Sequence, residues 1–449
     1  MKVKEIIKIT KARLLSGYSS SEIALDRIST DSRGIRKGDI FLALEGPNFD
    51  GNKFVRDAFN KGASAAIVSK FNDKMPGKTI IKVADTLSAL QEIAALNRKK
   101  IGIPLIGVTG SNGKTTVKEL LSAILSECYE VLKNEGTKNN QIGVPQALLK
   151  LKPAHDICVL EFGTNHAGEI RRLSEIARPS MAVITNIGPS HLEFLKDLEG
   201  VYRAKIEILE FMKPGGRLIV NGDDRFLRKI RSARFRVVKF GLGRGSDFIA
   251  SDIVLGRDGI RFLLNGKFEF RTRLLGLHNV YNALAAITAA SQFKVDINKM
   301  QDALSKFKQT AMRLNRKKIN GIDVLDDSYN SNPLSMISAL DVLKRYPAKN
   351  RWVVSGDMLE LGSQGVRFHE EIGSYIAKSN VDGLLTFGTL ARHMLVKARQ
   401  EGMNSKRLWH CADHKEMARI LNGVVSKGDV VLFKGSRSMR METVIDNLK

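Results

Sequence analysis

A chain of 449 residues is too long for one ordinary hydrophobic core, and 43% hydrophobic with 27% charged residues excludes a disordered or fibrous polymer. Lysine and arginine outnumber aspartate and glutamate by 72 to 47, so the formal charge of +25 gives the molecule a field that attracts anions. That charge is spread along the chain and aromatic content is only 6%, which leaves few platforms for stacking bases; small anionic substrates explain the field as well as nucleic acid does, and an anionic membrane surface is a third reading.

No apolar run reaches the roughly 18 to 20 residues of a membrane helix, and the opening Met1-Lys-Val-Lys-Glu-Ile-Ile-Lys8 lacks the unbroken apolar stretch of a signal peptide. Both features point to a cytoplasmic protein. Basic stretches at Asn97-Arg-Lys-Lys100 and Arg313-Leu-Asn-Arg-Lys-Lys318 separate segments of regular apolar patterning. They divide the chain into domains at 1–100, 101–312 and 313–449, and they are the expected hinges if the outer domains close on the middle one.

The middle segment opens with Ile103-Pro-Leu-Ile-Gly-Val-Thr109, an apolar run consistent with a buried parallel strand. Val117, Leu120, Leu121, Ile124 and Leu125 then recur at helical spacing, which predicts a helix beginning near Lys114. Between the two lies Gly110-Ser-Asn-Gly-Lys-Thr-Thr116. Glycines let backbone N–H groups close on phosphate oxygens at a helix N-terminus, Lys114 reaches toward the outer phosphates, and Thr115 offers a hard oxygen to Mg²⁺. The generic phosphate-loop pattern also asks for glycine at position 108, where this chain has Val108; the plain alternative is a glycine turn with a capping lysine.

Further strands are predicted at Ile157–Glu161, Met181–Thr185 and Arg217–Val220, with helical patterns between them, so the segment reads as a doubly wound α/β domain. Sites on such sheets sit at the carboxyl ends of strands, which points to Glu161 and His191. Near the segment's end, Ile260–Leu264 and Phe268–Phe270 flank Asn265-Gly266, the signature of a tight antiparallel hairpin. The last segment predicts strands at Trp352–Val354, Leu384–Phe387 and Val430–Phe433 in a smaller Rossmann-like domain. Its His410, Cys411 and His414 read as a surface loop, and the three isolated cysteines argue against a disulfide framework or a cysteine zinc site.

Taken together, the phosphate loop, Glu161-Phe-Gly-Thr-Asn-His-Ala-Gly-Glu-Ile170, Asn186-Ile-Gly-Pro-Ser-His-Leu-Glu193 and Ala204-Lys-Ile-Glu207 resemble the central domain of the Mur ligases. Thr30-Asp-Ser-Arg33 and Gly38–Gly46 resemble that family's uridine-nucleotide-binding domain. The resemblance implies ATP as a substrate, bound by Gly110, Ser111, Asn112, Gly113, Lys114, Thr115 and Thr116, with Asn282 on the adenine, Arg313 on phosphate and Asp327 on the ribose. It implies two Mg²⁺ ions held by Thr115, Glu161, His191 and a Lys205 carbamylated by carbon dioxide, with Lys114, Glu161, His191 and Lys205 as the catalytic set. UDP falls to Thr30, Asp31, Ser32 and Arg33, and the muramoyl peptide to Asn139, Asn140, Thr164 and His166.

In the last domain Asp327–Pro333, Gly356–Gly362 and Lys434–Glu442 resemble the branch of the family that adds D-alanyl-D-alanine to UDP-N-acetylmuramoyl-tripeptide through an acyl phosphate, with Asn330 and Asn332 as dipeptide contacts. The implied partners are these small molecules, with no nucleic acid, for a monomer that adheres weakly at most to an anionic membrane. A nucleic-acid-binding ATPase, suggested by the charge and the phosphate loop, is the competing reading.

Overall fold

The computed structural model describes residues 1–448, and one large β-sheet falls in each of the three segments, with a two-stranded ribbon at Glu45–Gly46 and Phe49–Asp50. The first sheet runs, edge to edge, through Arg13–Ser16, Thr79–Lys82, Ala65–Val68, Ile40–Leu42 and Ile28–Ser29. All its pairings are parallel except the first. The helix Thr86–Ile101 follows, capped at its start by the Asp85 carboxylate on the Ser88 N–H and ended by Gly102 at φ +63°.

The first basic stretch is helical. Asn97–Lys100 is the last turn of that helix, with Asn97 Nδ2 donating to Leu148 O (2.8 Å) and Leu151 O (3.1 Å), and Arg98 Nε donating to Ala177 O (2.9 Å). Cations favour a helix C-terminus, where they face the dipole's negative end, so the charge run marks a helix end docked on the middle segment. A hinge at this point would have to break those bonds.

The middle sheet has nine strands, ordered Phe268–Thr272, Gly259–Leu264, Phe248–Gly256, Arg236–Gly241, Arg217–Asn221, Met181–Ile184, Leu105–Thr109, Ile157–Glu161 and Val131–Lys133. Every residue of Leu105–Thr109, Ile157–Glu161 and Met181–Ile184 is buried, as expected of parallel strands covered by helices on both faces. The antiparallel element continues the same sheet, and its hairpin turns at Asn265 (φ +49°) and Gly266 (φ +67°), the left-handed pair that a type I′ turn demands.

The third sheet is ordered Asn315–Ile319, Ile322–Asp327, Val430–Lys434, Arg351–Gly356, Gly383–Phe387 and Leu408–Cys411, parallel except at its first pair. The second basic stretch supplies the antiparallel edge strand, where Lys317 pairs with Asp326 at 2.9 Å and Arg316 reaches Asp258 of the middle segment at 2.6 Å. Exposed lysines suit a sheet edge. His410 and Cys411 lie in the last strand, not in a loop, and Cys411 is buried. One apolar cluster extends from Val3 through Leu105 and Leu160 to Leu432, so the three segments share packing. No helix among the described residues is long and apolar enough to cross a membrane.

Candidate active site

The buried strand Leu105–Thr109 delivers the chain into a turn at Gly110 (φ +141°), and the helix Lys114–Leu125 starts just after Gly113 (φ +82°). Neither glycine can be replaced freely: a Cβ at Gly110 would stand 2.0 Å from Thr185 Oγ1, and one at Gly113 would stand 2.2 Å from Asn282 Oδ1. The loop is pinned from the neighbouring strand end. Ser111 N donates to Asn186 O (2.9 Å), Asn112 N donates to Asn186 Oδ1 (2.9 Å), and Ser111 Oγ exchanges hydrogen bonds with Gly188. The amides of Lys114, Thr115 and Thr116 keep no partner among the described residues, at the positive end of the helix dipole. That is an anion site.

Lys114 Nζ donates to Gly110 O (2.9 Å) and Ser111 O (3.1 Å) at the mouth of the loop. Burial pushes its ammonium below the usual lysine range, against the opposing pull of Glu161. Glu161 ends its strand 1% exposed. Its Oε2 accepts from Thr115 Oγ1 (2.8 Å) and its Oε1 from Asn139 Nδ2 (2.7 Å). Its backbone N–H donates to Asn134 Oδ1 (2.9 Å), and the fully buried Lys118 Nζ holds this loop through Asn134 O (2.8 Å) and Gly136 O (2.7 Å). Lys118 and Asn134 therefore orient the Glu161 strand end from behind, a role the sequence reading missed.

His191 stands beyond the next strand with Nδ1 2.6 Å from Glu360 Oε2, and that bond holds the Glu360 carboxyl below its usual range. Lys205, in the last turn of the helix Leu198–Ile206, is 1% exposed, and its Nζ has no hydrogen-bond partner among the described residues. Burial pushes its ammonium well down, and the Lys114 charge adds to this. A hydroxyl and a carboxylate oxygen side by side are hard donors. Among the described residues no three His, Cys, Asp or Glu side chains gather into a preformed cage. The hydroxyl–carboxylate pair suits Mg²⁺, which binds through few protein oxygens and keeps water and phosphate as its other ligands.

A cavity of about 520 Å³ separates this wall from the C-terminal segment. Arg313 lies between two left-handed non-glycine residues, Met312 (φ +61°) and Leu314 (φ +59°). Its guanidinium stands 4.0 Å from the Tyr329 ring centroid and its Nη2 is 3.4 Å from Thr115 Oγ1. Asp327 accepts from the buried Lys434 Nζ at 2.5 Å, and the same ammonium reaches Asn330 O (3.1 Å). Asn332 caps the helix Pro333–Arg345 and pairs with Asn112 of the phosphate loop, Nδ2 to Oδ1 at 2.9 Å. Asn282 Nδ2 donates to Asn279 Oδ1 (2.8 Å) beside Gly113.

The cavity thus brings together Ser111 to Thr116, Asn139, Glu161, Thr164, His191, Asn282, Arg313, Asp327, Asn330 and Asn332, and adds Tyr329, Glu360 and Lys434, which sequence had not singled out as site residues. Gly110, Asn140, His166 and Lys205 are not on its lining. Asn140 Oδ1 is spent on Ile142 N (3.1 Å) and Gly143 N (2.9 Å), and the exposed His166 lies 4.3 Å, centroid to centroid, from Phe194. The Thr30–Arg33 turn is also elsewhere: Thr30 Oγ1 accepts from Gln146 Nε2 of the middle segment (2.9 Å), Ser32 is half-buried with its carbonyl accepting from Lys61 Nζ (3.1 Å), and the exposed Arg33 fork holds the Asp31 carboxyl at about 2.

Three family profiles cover most of the chain: Mur ligase family, catalytic domain, at residues 25–98; Mur ligase middle domain at 108–290; and Mur ligase, glutamate ligase domain, at 312–437. The UDP-N-acetylmuramoyl-tripeptide--D-alanyl-D-alanine ligase of Bacillus subtilis is 36% identical over 99% of this chain and 98% of its own length. The chain belongs to the Mur ligase family. The Escherichia coli ligase of the same name is 34% identical over 99% of each chain. Among solved Mur ligases, MurF from Acinetobacter baumannii superposes with a TM-score of 0.90 at 33% identity, covering 100% of this chain and 98% of the other. MurF ligase from Thermotoga maritima, solved in complex with ADP, gives 0.84 at 29% identity over 95% and 98%.

Proposed function

We propose that this enzyme is an ATP-dependent ligase that joins D-alanyl-D-alanine to UDP-N-acetylmuramoyl-tripeptide, yielding the UDP-muramoyl-pentapeptide, ADP and phosphate in the cytoplasm. The observation that carries the ATP half is the free amides of the helix Lys114–Leu125 facing Arg313 and Asp327 across one cavity. The acceptor half rests on likeness, over nearly the full length, to relatives that bear that name. On this reading residues 1–100 hold the UDP moiety through Thr30, Asp31, Ser32 and Arg33, residues 101–312 hold ATP, and residues 313–449 bring the dipeptide to Asn330 and Asn332, all within a monomer. Asn139, Asn140, Thr164 and His166 are assigned to the muramoyl peptide.

A carboxylate is too poor an electrophile for an amine to attack. The tripeptide's terminal carboxylate therefore takes the γ-phosphoryl group of ATP, and the dipeptide amine adds to the acyl phosphate carbonyl and expels phosphate. The helix amides and Lys114 hold the phosphates, Asn282 and Asp327 the nucleoside, and Arg313 the transferring group. Thr115, Glu161, His191 and a carbamylated Lys205 would hold two Mg²⁺ ions, which would supply positive charge to the crowded anions. Lys434 screens Asp327 and fixes its orientation. The deciding assay is phosphate release: it is expected only when UDP-muramoyl-tripeptide and D-alanyl-D-alanine are both present. Hydrolysis stimulated by DNA or RNA instead would sink the reading.

The unspent positive charge supports weak adhesion to anionic membrane surfaces. Arg217 and Arg236 are exposed side by side in adjacent strands, with Arg231 and Arg234 exposed on the segment leading into the second. Cosedimentation with anionic vesicles at low ionic strength is expected to disappear near 1 M salt, where charges are screened beyond roughly 3 Å. Binding that survives such salt, or none at low salt, rejects it.

A further inference from the structure

Among the motifs of the last segment, Gly356–Gly362 has had no part in the chemistry so far. Its Glu360 meets His191 of the middle segment, Oε2 to Nδ1 at 2.6 Å. A carboxylate can only accept, so the proton lies on Nδ1 and the lone pair of the neutral ring lies on Nε2. That second nitrogen has no partner among the described residues, and His191 lines the same cavity as Glu161 and Thr115.

The contact is built, not incidental. His191 (φ +54°) and Glu360 (φ +61°) both take the left-handed conformation that residues with a Cβ avoid unless their surroundings impose it. Those surroundings are present: Glu360 O accepts from Glu193 N (3.1 Å), Leu359 N donates to Ser436 Oγ (2.8 Å), and Met358 N donates to Nε2 of the fully buried His369 (2.9 Å). One residue of the C-terminal segment thus grips the middle segment twice, through its side chain to His191 and its carbonyl to Glu193.

We propose that Glu360 is a positioning residue that fixes the tautomer and ring angle of His191, so that Nε2 is presented to the magnesium-phosphate site only while the C-terminal segment is docked. This rests on the reading of the ATP site given above. A carboxylate on the far nitrogen orients a ligating imidazole and raises its basicity, and loss of such a partner typically costs 10- to 100-fold in metal affinity or activity. Because both grips come from one residue, undocking releases the imidazole and its helix together. Assembly of the metal site thereby depends on domain closure.

The test compares Glu360→Ala and Glu360→Gln with the native full-length protein, labelled with ¹⁵N-histidine and assigned through His191→Asn. The native protein and Glu360→Gln, whose amide oxygen still accepts, are expected to give the Nδ1–H signature for His191, and Glu360→Ala is expected to lose it. In the phosphate-release assay Glu360→Ala should raise the Mg²⁺ concentration for half-maximal rate about 10- to 100-fold, with most of the loss recovered in Glu360→Gln. An unchanged tautomer in Glu360→Ala, or an unchanged magnesium requirement, overturns the proposal. So does an equal rise in KM for every substrate without a tautomer change, which would make Glu360 a docking contact only. Should the native protein lack substrate-dependent release while the tautomer result holds, the functional reading fails and the positioning of His191 stands.

Discussion

Lys205→Ala is expected to lose at least roughly 100-fold in synthesis and to regain part of it with added acetate, the scale on which removal of one preorganised charge acts in a dry site. An ammonium is badly placed here: the side chain is 1% exposed, lacks a hydrogen-bond partner among the described residues, and stands near the cationic Lys114. Desolvation, seconded by Lys114, therefore holds its ammonium well below the usual lysine range. A neutral amine can capture carbon dioxide, and on the proposed reading the resulting carbamate would reverse the sign of the interaction with Lys114. The depressed pKa also fixes a stability effect. Between the lowered folded pKa and the unfolded one the unfolded chain binds the extra proton, so Lys205 costs stability at neutral pH and the cost shrinks as pH rises. Lys205→Met should accordingly melt higher than the native protein while synthesising nothing. Intact mass in bicarbonate should show one carbon dioxide on the native chain and none on the variant. Full activity in Lys205→Ala would remove the residue from the site.

What the sequence made legible was what depends on neighbours in the chain. The phosphate loop is read from a buried strand, two glycines and a helical stripe within about twenty residues of each other, and Leu105–Thr109 and Lys114–Leu125 stand where that pattern puts them. The strand Phe248–Gly256 was not legible. Its register shifts between Ser251 and Val254, around the left-handed Asp252 (φ +50°), so its apolar alternation breaks midway. That the lysines at the end of Thr86–Ile101 belong to a helix was not legible either, because a solvated charge run and a helix C-terminus share a composition.

Side chains that meet across segments left still less trace. Lys434 and Asp327 are 107 residues apart and His191 and Glu360 are 169 apart, and no local period links them. The Oδ1 of Asn140 likewise accepts from backbone amides at the start of the helix Gly143–Leu149, a contact that no sequence period announces. Of the adjacent asparagines only Asn139 reaches the carboxylate of Glu161.

Lys114→Met should lower kcat by roughly 10² to 10³, the range for deleting one donor aimed at developing negative charge. The substitution keeps length and apolar bulk and removes only the charge. Met at this position leaves the glycine turns, the pinning by Asn186 and the three free amides in place, so ground-state phosphate binding should weaken less than turnover. The two carbonyls that Lys114 now satisfies, Gly110 O and Ser111 O, lose a donor at the mouth of an open cavity where water can replace it, and burial of the ammonium was itself unfavourable. Thermal unfolding should therefore change little or rise. Lys114→Arg is not expected to rescue, because a planar fork cannot occupy the space of a compact ammonium against the loop. Phosphate release with all three substrates saturating measures the loss. A rate within twofold of the native enzyme would mean that the phosphoryl group does not move past Lys114, and the cavity between Thr115 and Arg313 would then need another chemistry.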